Sequence, residues 1–181
     1  MSKVILMLVD PRTYQSDVKD VLESLLESWD TSLLLCLNSR PEYILSRLDV
    51  SVRDGVFERK SLHLIDVVSP QKPDMPNLRY LGEGSSLTQI GIEINDMISQ
   101  LHPKYFIMDS LDSLMGYEDV EKFMQDLINL LNSDSVNSII LVGANNDDNE
   151  LTQDVQRRVA ETRNYSEMKK EAVGWTGYQQ A

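Results

Sequence analysis

The sequence has few of the residues that build metal sites and covalent frameworks. It holds one cysteine, Cys36, and two histidines, His63 and His102, in 181 residues. A single cysteine excludes an internal disulfide and a cysteine-rich zinc site. The two histidines lie far apart without the spacing of metal ligands, so we assign them no catalytic or metal role. Cys36 lies inside an apolar run, where we expect a small buried hydrophobic residue.

Basic residues are also scarce. Seventeen Lys and Arg stand against 29 Asp and Glu, which gives a net charge of −12. Because phosphate contacts need a basic face, this balance argues against a nucleic-acid-binding protein and against an anionic membrane surface as partner. The apolar run Val4–Val9 is too short for a signal-peptide core or a membrane span, so we expect a cytoplasmic protein.

Short apolar runs alternate with segments of helical periodicity along the chain. Five runs predict strands: Val4–Val9, Ser32–Leu37, Leu62–Val68, Tyr105–Met108 and Ser138–Val142. Apolar residues at helical spacing predict helices within 18–29, 41–48, 87–101, 120–131 and 151–159, the first capped by Ser16 or Asp17 and the third by Ser85 or Ser86. The proline- and glycine-containing stretch 69–86 predicts a long loop. This alternation indicates an α/β fold with three layers, a parallel sheet of about five strands and helices on both faces.

The domain so defined covers residues 1–163, and residues 164–181 form a predicted C-terminal tail. Aromatic and apolar residues recur near helical spacing in this tail: Tyr165, Met168, Ala172, Trp175 and Tyr178. Trp and Tyr are favoured anchors at protein interfaces. Two interpretations stay open, in which the tail packs on its own domain or docks on a neighbouring subunit.

Polar residues follow the predicted strands, at the edge of a parallel sheet where ligands bind. Asp10 follows the first strand, Asn38 the second, and Asp109 with Ser110 the fourth, whereas Asp66 lies within the third. These residues are therefore the candidates for a functional site.

Three segments resemble the RecA/KaiC-like branch of the P-loop ATPases. Ser32–Leu45 (SLLLCLNSRPEYIL) is similar to the second strand and following helix of KaiC-like proteins, and Ser61–Pro70 (SLHLIDVVSP) to their third strand. Tyr105–Leu114 (YFIMDSLDSL) is similar to their Walker B strand, an apolar run that ends in Asp-Ser. The resemblance covers roughly residues 4–163 and is strongest to small archaeal KaiC-like proteins of uncharacterised function. It implies a RecA/KaiC-like fold with the first strand central, beside the Walker B strand.

The phosphate-binding loop of that family is missing. A Walker A loop, G-x-x-x-x-G-K-[ST], needs glycines so that backbone amides close around the phosphates, and a lysine to neutralise them. At this place the sequence has Asp10–Asp17 (DPRTYQSD), without glycine or lysine. Pro11 removes one amide donor, and Asp10 and Asp17 place negative charge where a polyphosphate would lie.

The catalytic glutamates of KaiC-like ATPases are replaced as well. Their positions at the end of the second strand correspond to Asn38 and Ser39, and neither side chain acts as a carboxylate base. The resemblance, with these departures, implies a non-catalytic pseudo-ATPase domain without a cofactor. It would act as a regulatory or scaffolding subunit whose partner is a protein, either a copy of itself or an active RecA/KaiC-like homologue.

Asp109 leaves room for an alternative. A protein with a divergent phosphate loop would bind ATP through Asp109, Ser110 and Arg12, with Mg²⁺ held by Asp109 together with Asp10 or Asp66. The structural interpretation of Asp109 is that it accepts backbone amide hydrogens in the turn after its strand.

A second alternative is a receiver-like signalling domain. It would use Asp66 as the phosphoacceptor and Asp10 as a Mg²⁺ ligand. A receiver domain also needs a lysine after its fifth strand, and this sequence has Gly143-Ala144-Asn145 there.

Overall fold

The computed structural model describes residues 3–171. Its centre is one sheet of seven strands, in which every pair of neighbours is parallel. The strands are β1 (Val4–Val9), β2 (Ser32–Cys36), β3 (Leu62–Asp66), β4 (Leu78–Tyr80), β5 (Tyr105–Asp109), β6 (Asn137–Gly143) and β7 (Glu161–Asn164), in the order β4-β3-β2-β5-β6-β1-β7. The predicted α/β class with a parallel sheet is confirmed, with seven strands instead of about five.

Helices cover both faces of the sheet. They are α1 (Tyr14–Leu26), α2 (Pro41–Arg47), α3 (Val50–Arg59), α4 (Leu87–Leu101), α5 (Val120–Ser133), α6 (Glu150–Arg158) and α7 (Tyr165–Glu171). One buried apolar cluster joins the sheet to α1, α2, α3 and α7, and a second joins it to α4, α5 and α6. Because both faces are covered, the inner strands are largely apolar, which is why they were predictable.

The two unpredicted strands lie at the two edges of the sheet. β4 has three half-buried residues inside the stretch that was predicted to be a loop. β7 has the sequence Glu161-Thr162-Arg163-Asn164 and pairs only with β1 among the described strands. Edge strands are typically short and charged, so neither shows the apolar run that identifies a buried strand.

Helix α3 was also missed, because its apolar face is small. Val52, Gly55 and Val56 are its buried residues. A side chain at Gly55 would place its Cβ 2.5 Å from the ring of Trp29, and the Arg59 guanidinium lies 4.3 Å from the centroid of that ring. Trp29 therefore takes the space where an apolar helix residue would otherwise lie.

The helix caps agree with prediction in one case and differ in another. Ser86 caps α4 in a reciprocal capping box with Gln89, as one of the two predicted serines. Helix α1, in contrast, begins at Tyr14, and Asp17 is buried within its first turn instead of preceding it. The prediction that Ser16 or Asp17 caps this helix was therefore wrong.

The strand order corrects the expected position of the first strand. β6 lies between β1 and β5, the strand that ends in Asp109, so these two strands are not neighbours. Three strands separate β1 from β3, which places Asp10 and Asp66 about 19 Å apart across the sheet at the usual strand spacing. A receiver domain has its first and third strands side by side, so this order contradicts the receiver-like alternative.

Part of the predicted tail belongs to the folded domain. Tyr165 is buried and Met168 packs against the cluster formed with α1, α2 and α3, so residues 165–168 pack on their own domain. The positions Ala172, Trp175 and Tyr178 lie outside the described residues, so the docking interpretation of that segment stays a prediction. Within residues 3–171, no helix has the length and apolar character needed to cross a bilayer.

Candidate functional site

The carboxyl ends of β3, β2 and β5 form the centre of the candidate site. Cys36, the last residue of β2, is in register with Asp66 on one side and with Asp109 on the other. Residues in register on neighbouring parallel strands project to the same face, here the face covered by α1, α2 and α3. Cys36 is fully buried, as predicted, and burial raises the pKa of its thiol, with the charges of Asp109 and Asp66 adding to the effect.

Asp109 is enclosed by side chains from two distant segments. The residue is 2% exposed. The hydroxyl of Tyr14, in the first turn of α1, donates a hydrogen bond of 2.5 Å to Oδ1, and the side chain of Asn38 also forms a hydrogen bond with the carboxylate. The backbone amides of Leu37 and Asn38 donate to the Asp109 carbonyl oxygen, which ties the end of β2 to the end of β5.

This enclosure changes the acidity of both partners. Burial raises the pKa of Asp109 to about 6, although the hydrogen bonds from Tyr14 and Asn38 work in the opposite direction, and the negative charge of Asp112 adds to the increase. Burial likewise raises the pKa of Tyr14 far above its ordinary value, with the Asp109 charge and hydrogen bond contributing. The Tyr14 hydroxyl thus stays protonated and acts as a fixed donor to Asp109.

Two backbone amides of the loop between β1 and α1 donate hydrogen bonds within the loop. Asp10 Oδ1 accepts from the Arg12 amide at 2.9 Å, and the Asp10 carbonyl oxygen accepts from the Thr13 amide at 3.1 Å. The Arg12 guanidinium forms an ion pair of 2.7 Å with the same carboxylate. Hydrogen bonds and charge from Arg12 lower the pKa of Asp10 to about 2. The carboxylate of Asp10 therefore occupies the Arg12 amide and guanidinium, two donors that a bound anion could otherwise use.

Asp66 has the capping role that was predicted for Asp109. Its Oδ1 accepts from the backbone amides of Val68 at 2.9 Å and Ser69 at 3.0 Å, in the turn after β3. Its carbonyl oxygen accepts from the amides of Leu81 and Gly82 after β4. Asp66 Oδ2 is buried without a hydrogen-bond partner. The side-chain contacts of Asp109 instead come from Tyr14 and Asn38, so the turn-capping interpretation of Asp109 was wrong.

The candidate residues are only partly brought together. Asp109 and Ser110 are both buried, and Ser110 forms a hydrogen bond with Tyr14. Arg12 points to Asp10 with 88% of its side chain exposed, and two strand spacings, about 10 Å, separate Asp66 from Asp109. In residues 3–171 no three His, Cys, Asp or Glu side chains lie in positions that could hold a metal ion. The arrangement of Asp109, Asp10 and Asp66 therefore does not form a joint cation site.

Two residues that matter here were not singled out from the sequence. Tyr14 is separated from Asp109 by 95 positions, and no local pattern marks the contact. Asp112 accepts from the Gly143 amide at 2.9 Å and from the Asn146 side chain, which connects the turn after β5 to the turn after β6. In the sequence Asp109-Ser110-Leu111-Asp112, the second acidic residue was the feature that could have indicated this contact.

Comparison with solved structures identifies the architecture. The chain superposes on the crystal structure of a KaiC-like protein from the hyperthermophilic archaeon Pyrococcus horikoshii with a TM-score of 0.55 and 11% sequence identity. The match covers 78% of this chain and 61% of that one, so this chain spans less than two thirds of its neighbour's length. No family model matches the sequence, and no curated protein matches it.

The fold is RecA/KaiC-like. This agrees with the expectation from the three sequence segments. At 11% identity the likeness concerns the fold alone.

Proposed function

We propose that the protein is a non-catalytic RecA/KaiC-like domain that works as a regulatory or scaffolding subunit through protein–protein contacts. The observation that supports the proposal most is the set of hydrogen bonds within the loop between β1 and α1. In this loop Asp10 accepts hydrogen bonds from the Arg12 and Thr13 amides and pairs with the Arg12 guanidinium. A phosphate group at this place would have to displace a carboxylate that is already bound.

The surroundings of Asp109 support the same proposal. A Walker B carboxylate acts on Mg²⁺ through an accessible oxygen. Here Asp109 is 2% exposed and receives hydrogen bonds from Tyr14 and Asn38, so a metal ion would compete with both donors and with burial. Asn38, at the position of a catalytic glutamate, has no carboxylate to activate water. ATP or Mg²⁺ binding through Asp109, Ser110 and Arg12 stays the alternative.

A thermal-unfolding screen with Mg²⁺ and the common nucleotides tests the proposal. A ligand at 100 times its dissociation constant stabilises the native state by about 2.7 kcal/mol, which would raise the melting temperature of a chain of this size by about 5–10 °C. We expect no such increase with ATP, ADP, GTP or Mg²⁺.

Two substitutions make the outcome specific. Asp109→Ala removes the one Walker B carboxylate, and Asp74→Ala is a matched control at an exposed aspartate before β4. Tight Mg-ATP binding by calorimetry that is lost in Asp109→Ala but kept in Asp74→Ala would overturn the proposal and establish the nucleotide-binding alternative.

A further inference from the structure

Helices α4 and α5 leave an apolar groove on the surface of the domain. The groove has a volume of about 570 Å³, and Leu87, Ile92, Phe123 and Leu130 are among its lining residues. Ile92 has 64% of its surface exposed, the largest value among the exposed large hydrophobic residues of the described chain. We call this surface the α4–α5 groove.

The rim of the α4–α5 groove is charged, and an aromatic ring lies inside the groove. Asp119, Lys122 and Asp126 lie along one side, so the rim is acidic by one charge. Gly91 lies in the groove opposite Phe123, and a Cβ added there would be 3.6 Å from the Phe123 ring. The ring thus packs close to the Gly91 backbone, and half-buried Phe123 offers an aromatic surface for an aromatic side chain from a partner.

Residues 172–181 have the matching composition. The sequence Ala172-Val173-Gly174-Trp175-Thr176-Gly177-Tyr178 contains two large aromatic residues three positions apart and no charged residue. Lys169, Lys170 and Glu171 come just before it in the sequence and carry one net positive charge, which suits an acidic rim. Trp and Tyr are the residues that most often act as anchors at interfaces.

The number of residues after α7 argues against binding of Trp175 in the groove of its own domain. Helix α7 belongs to the cluster on the α1 side of the sheet, whereas the α4–α5 groove lies on the other side. A path between the two helical layers is about 20 Å long before any distance along the sheet is added. Trp175 lies four residues beyond Glu171, and four extended residues reach at most about 14 Å.

We propose that the segment 172–181 of one copy binds in the α4–α5 groove of a second copy. This inference rests on the proposed scaffolding function and names its contact surface. The two surfaces differ, so the contact is head-to-tail and produces rings or open chains instead of closed two-fold dimers. A contact of this small size belongs to the weak class, with dissociation constants in the micromolar range.

Light scattering across a range of protein concentrations tests the proposal. We expect the apparent mass of the full chain to rise between about 1 and about 100 μM. Trp175→Ala and Ile92→Glu should each stay monomeric over this range. Val50→Glu is the matched control, because Val50 is 60% exposed on the opposite face, and it should associate like the parent chain.

Mixing the two defective variants distinguishes this contact from others. Trp175→Ala keeps an intact groove and Ile92→Glu keeps an intact segment, so an equimolar mixture should form a 1:1 dimer and nothing larger. A monomeric mixture would overturn the proposal. Association that is lost in Ile92→Glu but kept in Trp175→Ala would overturn it as well, in favour of a groove-to-groove dimer. A monomeric parent chain whose melting temperature falls on Trp175→Ala would also overturn it, since the segment then packs on its own domain.

The two proposals fail in different assays. Mg-ATP binding by a chain that still associates through the groove would overturn the proposed function and leave this contact in place. A monomeric parent chain that binds no nucleotide would overturn the contact alone.

Discussion

Asp10 and Asp109 both follow buried strands at the same edge of the sheet, yet the pKa values of their carboxyl groups shift in opposite directions. The pKa of Asp10 falls to about 2 and that of Asp109 rises to about 6. In the register of β5, β6 and β1, Asp109 lies level with Met7. Asp10 therefore lies about three residues farther along the strand direction than Asp109. It therefore reaches solvent and meets a cation there.

The difference shows which interaction dominates at each place. Asp109 receives hydrogen bonds from Tyr14 and Asn38, and both are neutral donors. These hydrogen bonds stabilise the ionised form of Asp109, but burial destabilises that form by a larger amount, so the pKa rises. At Asp10 burial is slight and Arg12 supplies both a charge and hydrogen bonds. One strand end thus holds a carboxylate that stays ionised down to about pH 2, and the other holds a carboxyl group that takes up its proton near pH 6.

Asp109→Asn should have the largest effect on this comparison. A pKa raised from 3.8 to about 6 corresponds to about 3 kcal/mol against the ionised form in the folded protein. The stability contributed by protonated Asp109 is complete below pH 3.8 and is lost as the pH rises through about 6. In denaturant titrations near about pH 7.5, we expect the free energy of unfolding of the variant to exceed that of the parent by up to about 3 kcal/mol. Near about pH 4 this difference should disappear.

The matched control for Asp109→Asn is Asp10→Asn. Because Asp10 is solvated, its substitution should leave the free energy of unfolding within experimental error at both pH values. If the difference between Asp109→Asn and the parent were the same at both pH values, the raised pKa of Asp109 would be refuted.

Tyr14→Phe should have the next largest effect. The substitution removes the hydroxyl that donates to Asp109 Oδ1 at 2.5 Å, and a hydrogen bond to a charged group contributes about 1.5–3 kcal/mol. We expect a loss of about 2 kcal/mol in the free energy of unfolding near about pH 7.5, and a smaller loss where Asp109 is protonated. The pKa of Asp109, followed by carboxyl-carbon NMR, should rise further.

Tyr117→Phe serves as the control for the loss of a tyrosine hydroxyl, since Tyr117 is 40% exposed. It should change neither the free energy of unfolding nor the pKa of Asp109. A Tyr14→Phe variant with an unchanged Asp109 pKa would show that the hydroxyl contributes nothing to the state of that carboxylate.

Arg12→Ala should have the smallest effect and sharpens the other side of the comparison. Without the guanidinium and its hydrogen bonds, the pKa of Asp10 should rise from about 2 towards 3.8 in an NMR titration. The Arg12 side chain is exposed and the ion pair lies at the surface, so the free energy of unfolding should change little. A pKa that remains near 2 would mean that the loop amides alone hold the Asp10 anion.

Much of the fold was predictable because it depends on local pattern. The strands β1, β2, β3, β5 and β6 are buried on both faces, and their apolar runs identify them without further information. The edge strands β4 and β7 and helix α3 were not predictable, since half-buried polar residues carry no period. Their positions depend on pairing with neighbours and, in α3, on the contact between Trp29 and Gly55.

The candidate site was likewise predictable only in part. The absence of glycine and lysine from the loop after β1 is a property of the sequence, and so is the apolar run that ends in Asp109 and Ser110. That Asp66, and not Asp109, caps a turn could not be read from the sequence. Both residues are aspartates at strand ends, and their partners depend on where the following turns lie.

By itself, the sequence determined a parallel α/β sheet, buried strands in a known order along the chain, and a loop after β1 without glycine or lysine. The tertiary structure alone decided that β6 separates β1 from β5 and that Tyr14 and Asn38 close over Asp109. The physical reason is that burial and hydrogen bonding at Asp109 arise from residues distant in sequence. Its protonation depends on these neighbours, which no local pattern contains.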